Sequence, residues 1–272
     1  MFELRTHSRR HFPRLSVGIF AILFLPRVAF AAASPHWSND AVVEWAMQRV
    51  YGTRNTQFNC WPTAFANEMR FCMQVRYIRH VSRGGGERWY ILASGDCRTL
   101  SPELQCTSIA SGPGLIGAFA IALQAGKLVL TSQAAQFPAG DGGEAPRQWR
   151  LVQLGANGYY GWVGTETTGD SGCFTTDELM LAPDGKDFAE IGDIVLNVDN
   201  SGACDPSVPR CLVSFDARVH VNPVPAARVY PLEITYWGKD GGTTLHRQGM
   251  RVRFSFANWE YLIPSVWPGV GC

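Results

Sequence analysis

The chain has 272 residues, 46% hydrophobic and 17% charged, with 28 Gly, 16 Pro and a formal net charge of +1. That composition can bury a core, which excludes a disordered, collagen-like or coiled-coil chain, and the length suits one large domain or two small ones. With 24 basic against 23 acidic side chains there is no polybasic footprint, so nucleic acid is not an expected partner.

Residues 1–33 read as a secretory signal peptide: a basic start (Arg5, Arg9, Arg10, Arg14), an apolar run from Leu15 to Leu25, and small residues at Ala29, Ala31, Ala32 and Ala33. The run is short for a bilayer span, and Pro26 and Arg27 end it, so no membrane span is expected once the signal is removed. Ser8-Arg9-Arg10-His11-Phe12-Pro13-Arg14 resembles the twin-arginine export motif, with Pro13 where an apolar residue is usual; any signal with a basic start also accounts for it. Removal of 1–33 takes away five Arg and one Glu and leaves 19 basic against 22 acidic residues, a net charge of −3. A weakly acidic chain has no electrostatic attraction to phosphate backbones or anionic lipid.

In chain order, Ser38 to Tyr51 reads as an amphipathic helix. Ser38-Asn39-Asp40 supplies the cap, Ala41, Val42, Trp45, Ala46 and Val50 one apolar face, and Gly52 the stop. Pro62 to Met69 has room for a second short helix. Val75 to Val81 and Trp89 to Leu92 then alternate around Arg83-Gly84-Gly85-Gly86-Glu87, a hairpin pattern. Gly114 to Leu130 is read as two buried strands turning at Gln124-Ala125-Gly126-Lys127 rather than as a helix, because it is Gly-rich and splits there. Residues 138–146 read as a loop, and Ala156-Asn157-Gly158 as the hairpin turn between Trp149–Gln153 and Tyr159–Val163. Further strands are expected at Leu179–Leu181, Ile194–Val198, Leu212–Val221, Val229–Trp237 and Met250–Phe256, with turns at Pro183-Asp184-Gly185, Asn200-Ser201-Gly202 and Asp240-Gly241-Gly242. The spacing predicts a mainly β fold: an antiparallel β-sandwich or barrel over 108–272, with a small α+β part over 34–107.

All eight cysteines (Cys60, Cys72, Cys97, Cys106, Cys173, Cys204, Cys211, Cys272) follow the signal, and an even count in an exported chain reads as a disulfide framework. The simplest choice pairs Cys60 with Cys72, Cys97 with Cys106, Cys204 with Cys211 and Cys173 with Cys272. No Cys-x-x-Cys occurs, and none of His36, His80, His220 or His246 has metal-ligand spacing, so neither metal nor cofactor is expected. Asp199-Asn200-Ser201-Gly202 with Asp205 offers alternating oxygens but lacks a calcium loop's register and closing Glu, and reads as a turn.

Two short stretches carry a likeness to hydrolases. Gly169-Asp170-Ser171-Gly172 resembles the nucleophile turn of trypsin-like serine proteases, which implies Ser171 as nucleophile and His80 as base. Cys173 stands where that family has another glycine, and Ile78-Arg79-His80-Val81 lacks the expected surroundings of the imidazole. Gln57 to Ala64 resembles the start of papain-like and bacteriocin-processing cysteine peptidases, implying Cys60 as nucleophile with His220 or His246, at odds with an even cysteine framework.

Aromatic residues make up 12% of the chain, and Tyr160, Trp162, Trp237 and Trp259 lie in clusters suited to stacking on sugar rings or anchoring a protein. Period-two alternation sends half of each cluster into the core. The expectation is therefore a periplasmic or extracellular, non-catalytic binding module for a glycan or protein of a bacterial cell envelope. The rival reading is a secreted hydrolase using Ser171 with His80, or Cys60 with His220.

Overall fold

The computed structural model describes residues 37–65, 69–83, 86–97, 112–205, 207–208, 211–241 and 243–264. The expected signal peptide and the boundary expected at 107/108 lie outside them. Helix α1 (Asn39–Tyr51) begins at Ser38, whose hydroxyl accepts from the Ala41 N–H at 3.2 Å, and stops at Gly52, where φ is 82°. Every other long element is a strand, and no described helix is long and apolar enough to cross a membrane.

The strands fall into three consecutive groups. β1 (Trp61–Phe65), β2 (Met69–Arg83), β3 (Gly86–Cys97), β4 (Gly114–Gln124) and β5 (Lys127–Ala139) form an antiparallel meander. β6 (Gln148–Gly155), β7 (Tyr159–Asp170), β8 (Cys173–Asp184) and β9 (Asp187–Asp199) form a second. β10 (Val213–Val221), β11 (Leu232–Asp240) and β12 (Thr243–Val252) form a third. The long strand β9 joins them: its start touches β5 in one parallel pair, Gln133 with Asp187, and its end pairs with β10. Among the described residues β1 and β12 do not meet, so the sheet does not close. A small hairpin, β13 (Phe254–Ser255) and β14 (Glu260–Tyr261), follows.

Alternation turns this order into layers. Trp89, Ile91 and Ala93 of β3 face Val42, Ala46 and Met47 of α1, together with Leu115, Phe119 and Ile121 of β4. Tyr90 and Leu92, with Ile116, Ala118 and Ala120, face the opposite way onto Trp162, Leu179, Leu181 and Phe188 of the second meander. Val163, Met180, Ala182, Ile191 and Ile194 then face Phe215, Leu232, Ile234 and Val252 of the third. β4 is thus covered on both faces, the physical reason its sequence is a continuous apolar run with no alternation. Gly117 belongs to this packing, because a Cβ there would stand 2.2 Å from the Tyr51 hydroxyl, which donates to the Ala135 carbonyl at 2.6 Å.

Over Pro62–Phe65 the expected short helix at Pro62–Met69 is not formed; residues 66–68 of it lie outside those described. Trp61–Phe65 is strand β1, registered against β2 from Trp61–Met73 to Phe65–Met69. The Cys60–Cys72 disulfide holds the two segments side by side, and Pro62, which has no N–H to donate, is tolerated on a sheet edge. Phe174 to Asp177, polar in sequence, belong to β8, and the strand expected at Met250–Phe256 instead runs Thr243–Val252. Cys204–Cys211 is also bridged, Cys173 is disulfide-bonded, and no described cysteine is free. The pairs expected for Cys97 with Cys106 and Cys173 with Cys272 include residues outside those described. Pro35–Cys272 form one compact unit, and β3 and β4, on either side of 107/108, are hydrogen-bonded neighbours.

Candidate functional site

The β2–β3 hairpin pairs Arg83 with Gly86, Val81 with Arg88 and Arg79 with Tyr90. Cross-strand partners share a face, so Val81, Arg83, Arg88 and Tyr90 all point toward the second meander. The turn between β6 and β7 approaches them there. Asn157 and Gly158 take φ values of 59° and 73°, the consecutive left-handed pair that an Asn-Gly hairpin turn supplies. Between hairpin and turn lies a cavity of about 390 Å³ lined by Val81, Arg83, Gly86, Arg88, Tyr90, Asn157, Gly158 and Tyr160.

The Tyr90 and Tyr160 rings lie 5.7 Å apart, tilted by 53°. Gln153 orients Tyr160: its carbonyl oxygen accepts from the Tyr160 hydroxyl at 3.4 Å while its amide donates to the Gly155 carbonyl at 2.8 Å. Burial pushes the Tyr90 hydroxyl above its ordinary range, opposed by a hydrogen bond and the charge of Arg88, so the phenol stays protonated. Neither Arg83 nor Arg88 has a carboxylate partner among the described ion pairs.

A second recess, of about 550 Å³ between α1 and β1–β2, also holds charge. There Arg54 pairs with Glu44 at 3.7 Å, donates to the Asn59 side chain and lies over the Trp61 ring, so its polar groups satisfy one another.

The same face of β7 carries a third feature farther along. Glu166 pairs in register with Asp177, Leu179 with Asp193 and Leu181 with Glu190, so four carboxylates share one face of β7–β9. The Gly140 N–H donates to Glu166 at 2.6 Å, and Asp141 lies close enough to repel it. Burial, then repulsion from Asp193 and Glu166, pushes Asp177 up to about 7; burial comes first in raising Glu166, Glu190 and Asp193 as well. No described group of three or more His, Cys, Asp or Glu has the arrangement of a metal site.

The residues suggested by hydrolase likeness are not brought together. Cys60 is bridged to Cys72 and cannot act as a thiolate, while His220 is exposed on β10 opposite Glu233. His80 is adjacent to Val81 but stacks on Trp89, 4.5 Å away, on the far face of β2–β3. Ser171 occupies the β7–β8 turn at φ 50°. From the cavity end of β7 to that turn is about 35 Å at roughly 3.3 Å per residue.

The four expected binding aromatics occupy four different places. Trp162 is 0% exposed and packs against Tyr77, so it is core and not a contact residue. Trp237 lies on β11 with the Arg218 guanidinium 5.4 Å over its ring. Trp259 stands in the β13–β14 turn at φ 58°, with Arg228 5.1 Å over its ring. Tyr160 lines the cavity. Its neighbours Arg83, Arg88 and Tyr90 carried a sequence signal only as hairpin flanks; alternation across the glycine turn would have put them on one face, but not opposite Tyr160.

Fold and recess together define a layered, disulfide-linked antiparallel β protein with a cationic, aromatic-lined cavity. No family model matches the chain, and no curated protein or solved structure matches it.

Proposed function

We propose that this chain is a non-catalytic binding module, acting outside the cytoplasm, that recognises a cell-envelope glycan in the cavity between the β2–β3 hairpin and the β6–β7 turn. The observation carrying this reading is the half-buried Tyr160, backed by the buried Tyr90 ring, in a recess of about 390 Å³ with two guanidiniums at its rim. Tyrosine presents an apolar ring face to a sugar and keeps a hydroxyl for its polar edge, at small entropic cost. Disulfides at Cys60–Cys72 and Cys204–Cys211 fit an oxidising compartment. The bridging of Cys60 to Cys72, the stacking of His80 on Trp89 and the place of Ser171 in the β7–β8 turn favour this reading over the hydrolytic alternative.

The test is calorimetric titration of the disulfide-intact protein with solubilised envelope polysaccharide. Tyr160→Ala should weaken binding about tenfold, the usual scale for an anchoring aromatic, while Trp237→Ala leaves it unchanged. Binding indifferent to Tyr160→Ala, or release of new reducing ends by the wild-type protein, would overturn the reading.

A further inference from the structure

We infer that the saccharide taken by this cavity is acidic, its carboxylate or phosphate held by Arg83 and Arg88 while its ring lies against Tyr160. The inference rests on the glycan reading above and adds the ligand's charge. Among the described residues the lining contains two guanidiniums and no carboxylate, although acidic residues are plentiful in the chain. The recess between α1 and β1–β2 neutralises its arginine internally through Glu44, and Arg76 and Arg150 likewise have carboxylate partners in Asp96 and Glu178. Arg79, Arg218 and Arg228 also lack a carboxylate partner among the described ion pairs, and what distinguishes Arg83 and Arg88 is that both line one cavity. They lie diagonally across the β2–β3 pair, one register step removed, where like charges repel and a bound anion relieves the repulsion.

Space for the anion comes from two positions without side chains. Gly86 faces Arg83 across the hairpin, and a Cβ there would meet only the Arg83 carbonyl, at 3.7 Å. A Cβ on Gly158 would meet Tyr160 at 3.7 Å and the Arg83 side chain at 3.8 Å, so the turn, the guanidinium stem and the ring already stand in contact range around one opening. Arg88 stands close enough to Tyr90 for its charge to act on that hydroxyl, and a planar guanidinium binds oxyanions through paired N–H donors. Of the carboxylate cluster, Glu166 lies about 20 Å along β7 from Tyr160, while Glu190, two strands across and level with Trp162, is nearer, and none of the four lines the cavity.

The experiment titrates the full disulfide-bonded protein with tri-galacturonate, its methyl ester, a phosphorylated disaccharide, the corresponding neutral disaccharide and inorganic phosphate, at low and physiological salt. An acidic sugar should bind at least tenfold tighter than its neutral counterpart, and Arg83→Gln should remove most of that difference. Arg83 is exposed at a strand end, so this variant should fold; Arg88→Lys, which keeps charge but loses the fork, should give an intermediate loss with an unchanged melting curve. The uronate and phosphate arms say which acid is preferred, and preference for either supports the inference. Equal affinity for acidic and neutral sugars, dependent on Tyr160, would overturn the charge requirement and leave the glycan reading standing. Arginine-dependent binding of inorganic phosphate as tight as the sugars, indifferent to Tyr160→Ala, would overturn both. Absence of arginine-dependent binding to every acidic probe overturns the inference.

Discussion

Replacing Asp177 by Asn should stabilise the protein above neutrality and leave it unchanged in acid. Asp177 shares one face of β7–β9 with Glu166, Asp193 and Glu190, and its carboxyl is pushed up to about 7 from an ordinary 3.8. A raised carboxyl favours the protonated fold: its contribution is fully present below about pH 4, where folded and unfolded chains both hold the proton, and is lost as pH rises toward 7. A shift of about three units would correspond to about 4 kcal/mol at full linkage, and solvent screening at this half-buried position reduces it to about 1–2 kcal/mol. Asparagine keeps the shape without the charge. Urea titrations at pH 4, 5.5, 7 and 8.5 should show coincident midpoints at pH 4, and a variant midpoint higher by about 0.5 M at pH 8.5, taking a slope of about 2–3 kcal/mol/M. The smaller charge on the cluster should also flatten the residual pH slope from Glu166, Glu190 and Asp193. A variant less stable than wild type at pH 8.5, or a midpoint difference that does not change with pH, would refute the account of this cluster.

Two further perturbations probe the scaffold. Gly117→Ala places a Cβ 2.2 Å from the Tyr51 hydroxyl, so the tyrosine must move and lose its bond to the Ala135 carbonyl; the expected cost is about 1–3 kcal/mol, read as a lowered midpoint. The double substitution Cys60→Ala with Cys72→Ala opens a loop closed across 12 residues and should cost about 3 kcal/mol by chain entropy, while the β2–β3 cavity keeps its ligand affinity at temperatures where the variant remains folded.

The features legible before folding are those in which neighbouring residues act on one another. Ser38 caps α1 because its hydroxyl reaches an amide three residues away, and Asn157-Gly158 makes its turn because both tolerate positive φ. The turns at Ala125-Gly126 and Gly185 follow the same logic, and the loops closed by Cys60–Cys72 and Cys204–Cys211 are short enough to read as local pairs. Pro62–Met69 misleads because its helix-start signal is weaker than a ladder against β2. Thr243–Gln248 shows no alternation because β12 is an edge strand with most of its side chains in solvent.

Local chemistry thus determined where the backbone turns, where helix α1 begins and that sulfur is spent on cross-links. Only the tertiary structure decided which face of each strand meets another layer. That choice buried Trp162 while leaving Tyr160, two residues earlier on the same side of β7, at a cavity wall. It also gathered Arg83, Arg88 and Tyr90 from one hairpin against Gly158 and Tyr160 some seventy residues later. A strand's period states that its side chains alternate; the packing of one meander on another determines what each alternate side chain will face.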